Sequence, residues 1–297
     1  MKLPLRLLLL VGCCLILFSC AGNDDVKPQM QSPVRLSAVT TDGLWVADHL
    51  ANRVFLLDRQ SLEIRDSFPV GPRPAGVVVA SGRVFVAEQN AGRVSVYNLS
   101  GTPLFRLGQG DNEFLRPNGM ALNAASGLVY IADLKAGKIR VFTLNGTDAG
   151  FAIGSGELNA PTAVTFDPDR REILVSDFGV PDAPQVRVYA EDGTFLRSLP
   201  GTVSSGMLGV TSIFSAPQGL TVDGKGHLFL VDSLLGQVLV LDELTGELLK
   251  TVGRTGTGNG ELFLPLDVTI DPGSGDLLVA NSKPARIEVY RQGGVMP

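Results

Sequence analysis

Cysteine is nearly missing from this 297-residue chain: three occur, at positions 13, 14 and 20, and none lies beyond residue 20. That excludes a disulfide framework and a thiolate metal centre for everything downstream. Histidine is scarcer, with His49 and His227 alone, too few for a zinc site built on imidazoles, which takes three or four ligands in near-tetrahedral order. Basic residues are in deficit, 25 Lys and Arg against 30 Asp and Glu, and without a basic surface nucleic acid is excluded as a partner. One long hydrophobic run exists, residues 7–18, and it is too short for a comfortable membrane span. Beyond it no segment keeps an apolar pattern at helical spacing, which removes helical bundles from consideration.

What the chain has in abundance is repetition. The phrases WVADHLANRVFLL (45–57), FVAEQNAGRVSVY (85–97), YIADLKAGKIRVF (130–142), LVSDFGVPDAPQVRVY (174–189), FLVDSLLGQVLVL (229–241) and LLVANSKPARIEVY (278–290) are variants of one another. Each is a short apolar strand ending in an acid or amide, then a turn, then a basic or amide residue and a second apolar strand. The acid or amide falls at Asp48, Glu88, Asp133, Asp177, Asp232 and Asn281, in steps of 40, 45, 44, 55 and 49 residues. A proline opens each cell, at Pro33, Pro74, Pro117, Pro161, Pro217 and Pro265. Arg53, Arg93, Lys138, Gln237 and Arg286 stand five residues after the acid, and Gln185 stands eight after it where three residues are inserted.

Periods of this length mark a repeat architecture. Within a cell the runs are those of strands, β-branched or aromatic and separated by Gly, Asn and Ser turns, and stretches such as Val77-Val78-Val79 are apolar on both faces, as for strands sandwiched between sheets. Four short strands in about 44 residues make one propeller blade, so the fold class is all-β, a six-bladed β-propeller over residues 33–297. After Tyr290 only RQGGVMP remains. The ring therefore closes either with a three-stranded last blade or with residues 26–32 as the outer strand of blade six, the second being favoured because an open edge is a liability.

The cells resemble the NHL repeat family, whose blades run proline, apolar strand, V-A-D, turn, then R-V or K-I and another strand. LGQGDNEFLRPNGMAL (107–122) and VGRTGTGNGELFLPLDVTIDPGSGDLLVAN (252–281) also show that family's Gly-rich linker with phenylalanine before proline. The resemblance implies an NHL-type propeller. It says little about activity, because the family includes RNA binders, protein scaffolds and a few enzymes.

Residues 1–19 are of another kind. Lys2 and Arg6 precede the apolar run, and Ser19-Cys20 follows it, the layout of a secretory signal. Leu17-Phe18-Ser19-Cys20 resembles the bacterial lipoprotein box, which implies a lipidated, palmitate-bearing Cys20 as the new N-terminus. A lone cysteine at that point is better explained by lipidation than by a disulfide without a partner. Ala21 implies export to the outer membrane, by the same resemblance, and residues 20–32 become a polar tether. Loss of Lys2 and Arg6 with the leader leaves 23 basic against 30 acidic residues, a balance of −7. The expected location is the bacterial cell envelope, with membrane contact through the N-terminal lipid only.

In a propeller the start of each inner strand and the turn after each acid share one face. Just after the prolines stand Val34-Arg35, Ala75-Gly76, Asn118-Gly119, Thr162-Ala163, Gln218-Gly219 and Leu266-Asp267. Asn118 lies in a Pro-Asn-Gly like that of six-bladed lactonases of the gluconolactonase type, a resemblance that implies a channel metal bound by this asparagine, a glutamate and an aspartate. Here Val34-Arg35 stands where the glutamate would, Gln218 is neutral and Asp267 is one position off, a poor cage for calcium or magnesium. No metal or other cofactor is expected, and Asn118 and Gln218 are expected to bond turn backbone. The repeated acids read as turn fasteners, each pairing with the basic residue five positions on.

Blade four departs from the pattern, with an insertion FGVPDAP (178–184) and a long exit linker, residues 201–216. Phe178, Val180, Met207, Leu208 and Phe214 are expected either to form an apolar lip beside Asn118 and Gln218 at the channel mouth or, with the linker folded inward, to plug the channel. Two functions follow: a lipid-anchored propeller that binds envelope or secreted proteins, a polymer or a small ligand, or a metal-dependent enzyme of the lactonase or lyase kind. The missing carboxylates and histidines favour the first.

Overall fold

Each cell folds as an antiparallel meander because its strands are only four to seven residues long and are joined by tight turns. In five of the six blades the residue before the third strand turns the chain back with positive φ, and the repeat places Asn52, Gly92, Gly137, Gly236 and Ala285 there, at φ between 51° and 62°. In blade four Pro184 precedes the third strand. The computed structural model describes residues 28–109, 113–179, 184–199 and 213–291. These form six sheets, five of four strands and one of three. The blades begin at Pro33, Pro74, Pro117, Pro161, Pro217 and Pro265. Cys20, Val180, Met207 and Leu208 lie outside the described residues.

Burial follows position in the blade. The second strand is buried at every residue in Leu44–Asp48 and Leu277–Asn281 and at all but its first in the other four blades, whereas outer strands such as Pro103–Arg106 are mostly exposed. Apolar side chains from both faces of the middle strands meet those of the next blade, so the core is divided into six clusters, one at each blade interface. The sixth sets Leu36, Val46, Phe55 and Leu57 of blade one against Leu278 and Ala280 of blade six, and so closes the ring.

Of the two closures, the fold takes the three-stranded last blade. Blade six ends with Arg286–Tyr290 as its third strand, and residues 28–32 are not a strand beside it. Instead Gln31 and Ser32 donate backbone N–H bonds to the Asp48 carboxylate at 2.6 and 2.8 Å, which ties this segment to its own blade. Polar bonds supplement the apolar cluster: Ser32 Oγ to Ser282 Oγ at 2.7 Å, and the Arg59 guanidinium on both Asp271 oxygens at 3.0 and 2.6 Å. Burial of the interface thus replaces strand exchange.

The top face carries the starts of the inner strands and the turns between second and third strands. The bottom carries the remaining turns.

Candidate functional site

The six acids or amides of the repeat are 0–2% exposed. They fasten the turns, as expected, and also hold the linker entering their own blade, which the sequence did not suggest. Asp48 accepts Leu50 N and Ala51 N from its turn as well as Gln31 N and Ser32 N. Asp133 takes Leu115 N and Arg116 N, Asp177 takes Asn159 N and Ala160 N, and Asp232 takes Ser215 N and Ala216 N. Asn281 does the same with Phe263 N and returns a bond from Nδ2 to Glu261 O. Buried carboxylates satisfied this way are structural.

The ion pair five residues on is not a rule of the fold. It forms at Glu88 with Arg93, because glutamate is one methylene longer than aspartate. The longer arm brings the carboxylate to Ser95 Oγ and Tyr97 Oη, 3.0 and 2.6 Å away. It also requires Gly71, where a Cβ would stand 2.3 Å from Glu88 Oε2. Arg53 turns to Ser67 instead, and Arg286 to Glu288.

The channel axis is set by the second residue after each proline: Arg35, Gly76, Gly119, Ala163, Gly219 and Asp267. Four small residues leave room for two charged ones. Added Cβ atoms at Gly119 and Gly219 would lie 2.7 Å from Ala163 Cα and 1.8 Å from Asp267 Oδ1. Arg35 reaches across this space. Its Nη1 donates to Val34 O and Leu266 O at 2.9 and 2.7 Å, and its Nη2 to Thr162 O at 2.9 Å and Asn118 Oδ1 at 3.2 Å. Blades one, three, four and six are thereby joined through one guanidinium. Burial lowers the Arg35 pKa, and Asp267 opposes that change. Burial likewise raises Asp267 to about 6, against the pull of Arg35 and the backbone bond from Leu36 N at 2.8 Å.

Asn118 therefore sits at the top of the channel as expected, but its amide oxygen serves Arg35 and not turn backbone. Gln218 engages through its carbonyl, which accepts Ser176 Oγ at 2.6 Å. Phe178 is exposed on the top face, its N–H on Ala160 O. Phe214 is not part of an exposed lip: it is 6% exposed and packs between blades four and five with Leu199, Leu220 and Leu239, and Ile213 packs against the same cluster. That end of the linker contributes to the core, because the interface beneath it needs an apolar cover.

Below Arg35 the channel widens into a cavity of about 580 Å³ that runs to the bottom face. Its walls are Val77, Met120, Val164, Leu220 and Val268, and its rim holds Asp169 and Asp223. Burial works against the Asp223 charge, but bonds from His227 Nδ1 (2.7 Å) and Lys225 N hold the carboxyl below its usual range. His227 is on the bottom, as expected. His49 lies on top, where Arg73 Nε donates to its Nε2 at 2.6 Å and Nδ1 faces Pro74 O at 3.3 Å. Burial, with Arg73 adding to it, lowers the His49 pKa. Both ring nitrogens are occupied, so this histidine is not poised as a ligand. Among the described residues no group of three or more His, Cys, Asp or Glu is arranged to hold a metal ion.

A second buried polar group was not legible. Glu243, 1% exposed, lies beside Asp167, also 1% exposed, at the bottom of the interface between blades four and five. Burial and that neighbour push Glu243 to about 8. Arg170 lies 3.7 Å from both carboxyls.

No protein-family model matches the chain, and no curated protein does. Solved structures do. Hydrazine synthase from Kuenenia stuttgartiensis is similar at a TM-score of 0.66, with 14% identity over 91% of this chain and 98% of that one. A Bacteroides thetaiotaomicron protein of unknown function gives 0.65, with 20% identity over 89% of this chain and 70% of the other. A chain of the nidogen/laminin complex gives 0.56, with 16% identity over 88% and 91%. At these identities the likeness shows the six-bladed fold alone, one consistent with a binding scaffold.

Proposed function

We propose that this protein is a non-catalytic, NHL-type propeller, anchored to the bacterial envelope by lipid at Cys20, that acts as a binding scaffold. The observation that carries the reading is Arg35. Its fixed positive charge takes up Asn118 Oδ1 and two carbonyls from other blades at the place where a channel metal would need them. A divalent cation there would meet a guanidinium instead of a carboxylate, and the residues present do not fit it. The NHL assignment is supported by the repeat phrases, and the anchor by the leader and its single retained cysteine. The cavity is offered to ligands from the bottom face, where its acidic rim suits neutral or cationic molecules.

Thermal melting tests the non-catalytic half. The chain from Ala21, stripped with chelator, should melt at one temperature with or without calcium, magnesium or zinc. A bound ion at a hundredfold excess over its Kd would add about 2.7 kcal/mol, and a saturable rise that disappears in Asn118→Ala would restore the enzyme reading. For the anchor, Cys20→Ala should move the protein from the membrane to the soluble fraction and abolish palmitate labelling. Unchanged labelling would refute it.

A further inference from the structure

The repeat makes the top face unusual in charge. In the three positions after each acid, and in the two before each proline, no blade carries an Asp or Glu among the described residues, although the chain has 30 of them. The clamp carboxylates of this face are buried. The other described acids of the entering linkers, Glu113, Glu157 and Glu261, stand four residues before their prolines, Glu113 and Glu261 in ion pairs with Arg140 and Arg254. Cations do occupy the same positions: Lys135 and Lys283 stand two residues after their clamps, and Arg73 and Arg116 immediately before their prolines, all four exposed. No described carboxylate forms an ion pair with any of the four.

Large apolar side chains share these registers. Leu50 and Leu234 are the equivalents of Lys135 and Lys283, and Leu115 and Phe263 stand two residues before their prolines; they are 61, 70, 66 and 45% exposed. None is a frayed loop residue. The backbone N–H of each is a donor to a clamp, on Asp48, Asp232, Asp133 and Asn281 at 3.1, 3.2, 2.9 and 2.8 Å. The same bonds that fasten the turns hold these side chains in water. Apolar residues fixed in the open, on a face that also carries cations without carboxylate partners, suit an anionic lipid surface, where Lys and Arg meet headgroups and Leu and Phe enter the interface.

The route of the chain points to the same side. Residues 28–32 join blade one on the top face, through the bonds of Gln31 and Ser32 to Asp48 and of His49 N to Ser32 O. Ser32 stands twelve residues after Cys20, a length that reaches at most about 40 Å, so an anchor at Cys20 keeps the top face nearest the bilayer.

We infer that the top face is a membrane-docking surface for anionic lipid headgroups, with Arg73, Arg116, Lys135 and Lys283 as the electrostatic contacts and Leu50, Leu115, Leu234 and Phe263 as the inserted ones. The inference rests on the lipid-anchored reading for the side on which the bilayer lies. It turns the open cavity and its acidic rim away from the membrane, towards soluble partners.

The test uses the chain from Ala21, which holds the whole closed ring with its own core, purified without lipid. It is floated with vesicles of phosphatidylcholine alone or with phosphatidylglycerol added. Binding is expected to the anionic vesicles and to weaken with salt. Exchange of each of the four cations for glutamine should weaken binding about fivefold, and Leu50→Ser with Leu234→Ser should weaken it further. Lys225→Gln with Lys250→Gln, away from this face, should change nothing. Equal flotation with both vesicle types, or an equal loss in the Lys225/Lys250 control, would overturn the assignment. A chain that ignores vesicles yet binds an acidic peptide through the same four cations would overturn it in favour of a protein partner. Mass analysis of Cys20 in cells is independent. Docking by a chain whose Cys20 is unmodified in cells removes the anchor reading and leaves the face assignment standing, and a lipidated protein whose ring ignores vesicles does the reverse.

Discussion

At the scale of single residues, the decisive groups are buried charges with specified partners. Asp267 keeps its proton in the folded chain up to about pH 6, whereas an unfolded aspartate loses it near pH 4. Between those values the folded state binds more protons, so this group makes stability fall as pH rises from about 4 to 6. Removing its partner sharpens the effect. Arg35→Leu should cost about 3–5 kcal/mol at neutral pH by leaving Asp267 buried and unpaired, with much of the loss recovered below pH 6, as melting curves across pH will show. Glu243 follows the same sign at higher pH: it is protonated in the fold up to about 8 and ionised when unfolded above about pH 4. Glu243→Gln should therefore melt above the wild type at pH 9 and close to it near pH 4. The clamps act as hydrogen-bond acceptors. Asp133→Ala strands the N–H groups of Leu115 and Arg116 and should lower stability by about 3 kcal/mol in urea titration.

At the scale of elements, the turn before the third strand repeats one strained geometry in five of the six blades with different residues. Ala285 occupies it at φ 56° in blade six where Gly92, Gly137 and Gly236 serve other blades. Left-handed alanine is disfavoured by about 1–2 kcal/mol, part of which glycine returns through its greater freedom when unfolded. Ala285→Gly should thus stabilise by about 0.5–1 kcal/mol in urea titration. The linker after blade four behaves as core at its end. Phe214→Ala should cost about 3–5 kcal/mol, a loss of stability that an exposed lip residue would not produce. Strands, turns and clamp positions were all legible, because a period-two pattern with a fixed acid and proline recurs six times. Phe214 was not, since an aromatic residue in a long linker reads alike whether it faces water or the neighbouring blade.

At the scale of the whole molecule, ring closure and the distribution of charge are properties no single blade has. The net charge of the chain is −5, yet its repeated acids are buried while Arg73, Arg116, Lys135 and Lys283 are exposed on the top face. The closing interface is apolar, supplemented by Arg59 and Asp271, whose bond holds the aspartate at about 2. Blade number, strand order, the face on which each repeat position lies, and the small-residue ring with Arg35 and Asp267 in it all followed from the sequence, because each depends on local periodicity. What Arg35 holds, that Glu243 meets Asp167, where Phe214 goes and how the last blade meets the first were decided only in three dimensions. Arg35 and Thr162 are 127 residues apart, and Arg35 and Leu266 are 231 apart. Such contacts exist only because six inner strands converge on one axis, and the repeat that forces this convergence does not specify which side chains then touch across it.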